Sequence, residues 1–197
     1  MNVDRRFDRG IQFGGGIDTG RTVRDTCFVV DSPQQLLNCR VVTPFHAQTQ
    51  VKLFGSYSLP GGVVVSGMLQ NTPGAAIEAN YTATNAEILP SLGRNLGQCR
   101  GAAVCTASVS GIPLIPPMTQ FEDRRTQLDL RVGKIVKMGN SRELQVHIDV
   151  YNVLNASTIL NVNGTYGARW LLPISPVAAA EPILMPRLVE FGGQLRF

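Results

Sequence analysis

The sequence predicts an all-β chain: an antiparallel, up-and-down transmembrane β-barrel segment of about seven long strands, left as an open curved sheet. Three observations predict it. First, residues 142–154 alternate strictly, with Leu144, Val146, Ile148 and Val150 on one side and Glu143, Gln145, His147, Asp149 and Tyr151 on the other; Asn152 is the one polar break before Leu154. That period of two belongs to a strand with an apolar and a polar face, whereas a helix would scatter the apolar residues around its circumference. Second, residues 126–138 repeat the pattern, with Leu128, Leu130, Val132, Val136 and Met138 against Gln127, Asp129 and Arg131. Third, short turns alternate along the chain with excursions of roughly thirty to fifty residues, far longer than ordinary connections.

Strand length carries the membrane reading. Each arm of this central hairpin has about 13 residues, roughly twice the usual ~5–6. At ~3.3 Å per residue and a tilt of ~40° such an arm spans about 33 Å, matching an apolar bilayer core of ~30 Å.

Taken in order, residues 3–7 are a short strand with Val3, Arg5 and Phe7 on one side, and Asp8-Arg9-Gly10 turns the chain. Residues 11–19 follow, with Ile11, Phe13, Gly15 and Ile17 on one face; Gly14-Gly15-Gly16 forms no phosphate-binding fingerprint and reads as glycine in a curved strand. Residues 20–47 are a polar excursion. Residues 50–59 alternate again through Val51, Leu53, Tyr57 and Leu59, Pro60-Gly61-Gly62 turns, and residues 63–70 return. Residues 71–122 form the longest excursion, rich in proline. The central hairpin follows through Gly139-Asn140-Ser141, a connection suited to positive φ. A third excursion, 156–185, holds the single tryptophan, Trp170. Residues 187–197 close the chain, with Val189, Phe191, Gly193, Leu195 and Phe197 facing outward. All long connections therefore fall on one edge of the sheet and all short ones on the other, as in outer-membrane barrels.

Composition excludes several classes. Lys and Arg total 18 against 14 Asp and Glu, but they are dispersed, with adjacent pairs only at Arg5-Arg6 and Arg124-Arg125, which argues against nucleic acid as a partner. No apolar run is long enough for a membrane helix; Pro173, Pro176 and Pro182 break the longest. Met1 to Arg6 carries charge with no apolar segment behind it, which for an exported protein would mean a removed leader or a start further upstream. The four cysteines make two locally spaced pairs. In an oxidising compartment they read as Cys27–Cys39 and Cys99–Cys105, each loop worth about 2–3 kcal/mol. His46 and His147 lie in the wrong places for a zinc site built on these cysteines.

Catalytic constellations are absent from the pattern: Ser66, Ser108, Ser110 and Ser141 have no nucleophile-elbow context. The row Glu143, His147, Asp149 admits a lumenal cation or proton site, or simply a solvated barrel wall. Trp170 and Tyr166 suit either an aromatic girdle or a packing pair at a loop base. The glycosylation-like triplets at Asn80, Asn155 and Asn163 would carry no weight if the protein is bacterial. No cofactor and no enzymatic activity are expected.

With these residues in place the chain resembles the C-terminal barrel of a TonB-dependent receptor, closest to the Oar-like group with an N-terminal carboxypeptidase-regulatory-like domain. The resemblance rests on Phe121-Glu122-Asp123-Arg124 leading into Gln127-Leu128-Asp129-Leu130-Arg131, on Asp149-Val150-Tyr151-Asn152-Val153-Leu154-Asn155, and on Phe191-Gly192-Gly193-Gln194-Leu195-Arg196-Phe197. Cys27-Phe28-Val29-Val30-Asp31-Ser32-Pro33, Asn85-Ala86-Glu87-Ile88 and Ser91-Leu92-Gly93-Arg94-Asn95-Leu96 are also similar. The resemblance implies a Gram-negative outer membrane, contact with its lipid, and a C-terminal signal at Phe191, Leu195 and Phe197 read by the barrel-assembly machinery. It also implies a plug domain, further N-terminal strands and a TonB box, none of which this stretch contains, so that TonB would be met through the missing part. Seven strands cannot close as such a barrel, so the expected role is that of a receptor segment contributing strands and ligand-contacting loops. The alternative is a soluble, extracellular, disulfide-stapled β-domain that binds a partner.

Overall fold

Apolar–polar alternation needs a partner strand at every step, because each backbone N–H and C=O must be paired. The computed structural model, which describes residues 1–7, 10–28, 36–139, 142–175 and 181–197, shows how the chain meets that demand. Its elements are β1 (Asn2–Phe7), β2 (Ile11–Asp18), β3 (Thr22–Asp25), β4 (Arg40–Thr43), β5 (Gln50–Leu59), β6 (Val63–Thr72), β7 (Asn80–Thr84), α1 (Asn85–Leu92), β8 (Ser108–Pro113), β9 (Arg125–Lys137), β10 (Glu143–Tyr151) and β11 (Leu188–Arg196). Seven of them form one antiparallel sheet in the order β1-β2-β5-β6-β9-β10-β11, which is simple up-and-down succession. The sheet is open, with β1 and β11 as its edges. The pairs β3-β4 and β7-β8 are small separate ribbons inside the first and second excursions.

The register fixes the faces, since directly opposed residues project to the same side. One row runs Phe7, Ile11, Tyr57, Val65, Val132, Ile148, Phe191 across all seven strands. The positions two residues away continue that apolar face. Its charged members are Arg5 on edge strand β1 and Lys134, whose ammonium reaches the carbonyl of Gly61 in the β5–β6 turn. Its polar members, Asn71 and Thr126, sit at the excursion end and bond each other at 2.7 Å. The opposite face carries Gln12, Lys52, Ser56, Ser66, Gln70, Gln127, Asp129, Arg131 and the inward row of β10.

Turns on the short edge follow their residues. Gly61 and Gly62 both take positive φ (81° and 78°), and a Cβ on Gly62 would lie 2.7 Å from the carbonyl oxygen of Ile135. Gly139, at φ 74°, accepts from the Arg142 amide at 2.9 Å. Asp8, Arg9, Asn140 and Ser141 of the expected turns lie outside the described residues, as do Pro176 and residues 29–33 of the cysteine-containing motif.

The end of β10 departs from expectation. Alternation predicts a strand through Leu154, but pairing stops at Tyr151 because Asn152 turns left-handed (φ 49°), as does Asn155 (φ 51°). Asn152 is 2% exposed and fully used. Its amide donates to Asp129 Oδ1 at 2.8 Å, its Nδ2 to the carbonyls of Ala156 and Met185, both at 2.8 Å, and its Oδ1 accepts from the Ala156 amide at 3.0 Å. Asn155 Oδ1 accepts from the Arg187 amide at 3.0 Å. The two asparagines thus hold both ends of the third excursion together. Asparagine tolerates this backbone better than other non-glycine residues. Asn152→Ala should cost about 2–4 kcal/mol in urea unfolding, from stranded carbonyls plus the left-handed backbone. Asn152→Gly should cost about 1 kcal/mol less, because it keeps the conformation and loses only the bonds.

Candidate functional site

At the excursion edge the three long connections form one layer rather than three independent loops. Its base is clasped by Arg124, one residue before β9. The guanidinium donates to Asn71 Oδ1 (2.8 Å) at the end of β6, and to the carbonyls of His46 (2.8 Å) and Thr49 (2.7 Å) just before β5. His46 also stacks edge-on against Phe121, with centroids 5.4 Å apart. The first and second excursions are therefore anchored at one point.

The second and third excursions join through the backbone. Asn80 donates its amide to Gly164 O at 2.7 Å and accepts from the Tyr166 amide at 2.9 Å. The indole N–H of Trp170 donates to Glu78 O at 2.8 Å. Tyr166 lies between Trp170 (5.8 Å) and Tyr81 (6.3 Å), so Tyr166 and Trp170 form a packing pair inside the layer. Ala79, Ala83 and Val162 are buried there, as is Asn85, which bonds Asn95 Oδ1 and the Leu96 amide, each at 2.9 Å.

α1 starts at a capping box. Thr84 Oγ1 accepts from the Glu87 amide, and the Glu87 carboxylate accepts from the Thr84 amide at 2.7 Å. The same carboxylate takes the Tyr81 hydroxyl. The Tyr81 hydrogen bond first, then those from Thr84, hold the Glu87 pKa below its ordinary value; the same bond to Glu87 raises the Tyr81 phenol. The two disulfides close local loops in this layer: Cys27 to Cys39 across the β3–β4 ribbon, with Cα atoms 4.8 Å apart, and Cys99 to Cys105 beyond α1, with Cα atoms 5.4 Å apart.

Between the first and second excursions lies a cleft of about 400 Å³. In the β3–β4 register Thr22 opposes Thr43 and Arg24 opposes Val41, so these four share one face of the ribbon, and that face lines the cleft. The other wall comes from Glu78, Asn80, Ile115 and Met118 around β7 and β8.

The polar sheet face holds the expected row of β10 in a different arrangement. Asp149 is 3% exposed rather than solvated: Arg131 grips it with two bonds of 2.5 and 2.6 Å, and Tyr151 Oη donates to it at 3.4 Å. His147 Nε2 is 3.8 Å from Asp149, while Glu143 stands two inward positions away, opposite Lys137 and Arg196. Phe191 and Leu195 lie on the apolar face of edge strand β11, with Phe197 one residue past its end, 93% exposed. Sequence reasoning missed Arg124, Arg24 and Glu78, which act across long separations. It also passed over Thr84 and Glu87, whose spacing is a readable helix-start signal. No protein-family model matches the chain, and no curated protein matches it.

Two outcomes follow for the layer. Arg124→Ala should lower stability by about 1–2 kcal/mol after solvent screening and speed amide exchange at Thr72 and Thr126, with Arg124→Lys recovering little because a point charge cannot serve three acceptors. Because the folded Glu87 pKa is depressed, the unfolded chain binds more protons in acid. The Glu87 contribution is present above the ordinary carboxylate value of 4.5 and is lost as pH falls below it. Trp170 fluorescence should report this acid loosening of the layer, and Glu87→Gln should remove the dependence.

Proposed function

We propose that this chain is the C-terminal barrel portion of an Oar-like, TonB-dependent outer-membrane receptor, supplying strands to the wall and excursions to the ligand-contacting surface. The carrying observation is the apolar face. It spans seven strands with no second layer over it among the described residues: Val132 is 49% exposed, Ile148 44% and Phe191 75%. A face of that extent is unfavourable in water and calls for an apolar solvent. A soluble β-domain would need a covering sheet or helix on this side. Strand lengths support the same reading, since β5 and β6 have 10 residues and β10 and β11 have 9, against about 9–11 for a tilted transmembrane strand. Lys134 near the turn edge fits as well, because its stem can lie along apolar surface while its charge reaches a turn carbonyl.

In this reading the backbone edges of β1 and β11 pair with the remaining strands of the receptor, since an open edge in lipid leaves polar groups unsatisfied. The polar face then lines a lumen and meets the plug. The barrel-assembly machinery reads Phe191, Leu195 and Phe197, and TonB engages the N-terminal part of the receptor. The segment alone transports nothing and catalyses nothing.

Site-directed labelling within the full-length receptor tests the proposal. A probe on Ile148→Cys in proteoliposomes should be quenched by lipid-borne quenchers and shielded from aqueous ones, and a probe at His147→Cys should show the reverse. A probe at position 148 that lipid quenchers never reach would remove the membrane assignment. Ile148→Lys should cost about 2–4 kcal/mol while His147→Lys costs little.

A further inference from the structure

The cleft between the β3–β4 ribbon and the β7–β8 layer carries an unusual pair of walls. Arg24 projects from the ribbon face that lines it, and Glu78 projects from the opposite excursion, just before β7. Opposite charges sharing a cleft ordinarily pair. These two have no ion-pair partner, with each other or with any other group, among the described residues, and the ion pairs there are those of Asp149 with Arg131 and His147. The Arg24 side chain makes no hydrogen bond among the described residues either, its backbone being taken up by the β3–β4 ladder, so its guanidinium keeps its full set of donors. Glu78 is held in place on three counts. Asn80 Nδ2 donates to its Oε2 at 2.9 Å, leaving Oε1 open, the Trp170 indole holds its backbone carbonyl at 2.8 Å, and Gly164 packs so closely that a Cβ there would lie 3.1 Å from the Glu78 Cβ. Between the charges, Val41, Ile115 and Met118 give the cleft an apolar lining.

We propose that this cleft binds a small zwitterionic ligand with an apolar body, of the chemical class of a short peptide with free termini. The carboxylate sits on Arg24, which offers a planar fork of donors; the ammonium sits on the open oxygen of Glu78; and apolar side chains lie against Val41, Ile115 and Met118. A volume of about 400 Å³ falls in the range of small-molecule sites. The walls come from the first and second excursions, and the third holds Glu78 by its backbone. A ligand bridging Arg24 and Glu78 would therefore draw the layer together. The proposal deepens the receptor reading and rests on it only for what becomes of the ligand; binding itself does not depend on membrane insertion.

Trp170 is the single tryptophan of the chain and bonds Glu78, so its fluorescence is a built-in reporter. The probe is the dipeptide Leu-Leu, titrated into the full chain purified in detergent and followed by fluorescence and calorimetry. N-acetyl-Leu-Leu and Leu-Leu amide serve as comparison arms. Leu-Leu should bind saturably, and blocking either end should weaken binding about tenfold or more, the size of a charge-assisted hydrogen bond. Arg24→Gln should erase the difference between free and amidated peptide while keeping that between free and acetylated. Glu78→Gln should do the converse. Circular dichroism and the Trp170 emission of the unliganded variants identify any that misfold, and Arg24→Lys then serves as a second, milder test of the carboxylate arm. No saturable binding up to about 10 mM, or binding indifferent to both end groups and both substitutions, overturns the proposal. Charge-selective binding by a chain that the lipid quenchers never reach would leave the site standing and remove the receptor reading; a chain that inserts in lipid and ignores the dipeptide would do the opposite.

Discussion

The pairing of β6 with β9 is the contact on which the rest of the molecule depends. Every other neighbour in the sheet is either a short hairpin or separated by a shorter excursion. This pair must close the 52 residues of 73–124 before its ten opposed positions, from Val63 with Lys134 to Thr72 with Arg125, can form. Loop-closure cost rises only slowly with length, so the long excursion is tolerable, but it has to be met by a ladder that forms as a unit. Polar groups at its open end secure that ladder: Asn71 bonds Thr126 across it, and Arg124 ties Asn71 to the strand on the far side. The apolar row on one face and the polar row on the other then follow from register alone, because a slip of one residue would exchange them.

Glycine within the strands looks at first like a weakness, since it has no side chain to pack. The register gives it a use. Gly14 opposes Phe54, whose ring covers the space a Cβ would take, and Gly192 opposes His147 in the same way. On the polar face these rings therefore lie along the wall rather than standing up from it. His147 is flanked by glycine on both sides, Gly133 on β9 and Gly192 on β11, which leaves its ring free to lie toward β11. The expected row of solvated charges on β10 is accordingly a built surface, in which Arg131 and Tyr151 cover Asp149.

Much of the sheet was legible in the sequence because alternation over eight or more residues is a strong, local signal. β5 has the bounds that Gln50 and Leu59 suggest, and β2, β6, β9 and β11 differ by a few residues at their ends. β10 was read too long because hydrophobic alternation continues through Leu154, whereas a single asparagine with four hydrogen bonds decides where pairing stops. The excursions were opaque for a different reason. β3, β4, β7 and β8 have four to six residues each, too few for a period to emerge, and what arranges them is contact between residues far apart in the chain. Arg124 illustrates the limit: as sequence it is half of a basic pair, and its three acceptors are revealed only once residues 46, 49 and 71 are brought together.

The same division explains where a binding site can form. The sheet has little freedom to adapt, because every strand between the edges β1 and β11 is held on both sides and each face is committed by register. The excursion layer has its own small buried set in Ala79, Ala83 and Val162, two local disulfides, and a few anchoring side chains that connect it to the strand ends. Such a layer is ordered enough to place Arg24 and Glu78 in one cleft. It is also joined by so few bonds that small displacements between excursions change the width of that cleft. Arg124 and Asn152 sit where the two regimes meet: one fixes the bases of the first and second excursions, the other the two ends of the third. Weakening Arg124 should loosen the layer and fray the excursion end of the β6–β9 ladder, and weakening Asn152 should loosen the third excursion. The rest of the ladder from β5 through β10 should stay paired, because neither side chain bonds to the backbone within those strands. In the proposed site Arg24 and Glu78 supply the chemistry, and Arg124 and Asn152, far from the cleft, set how firmly the layer holds them.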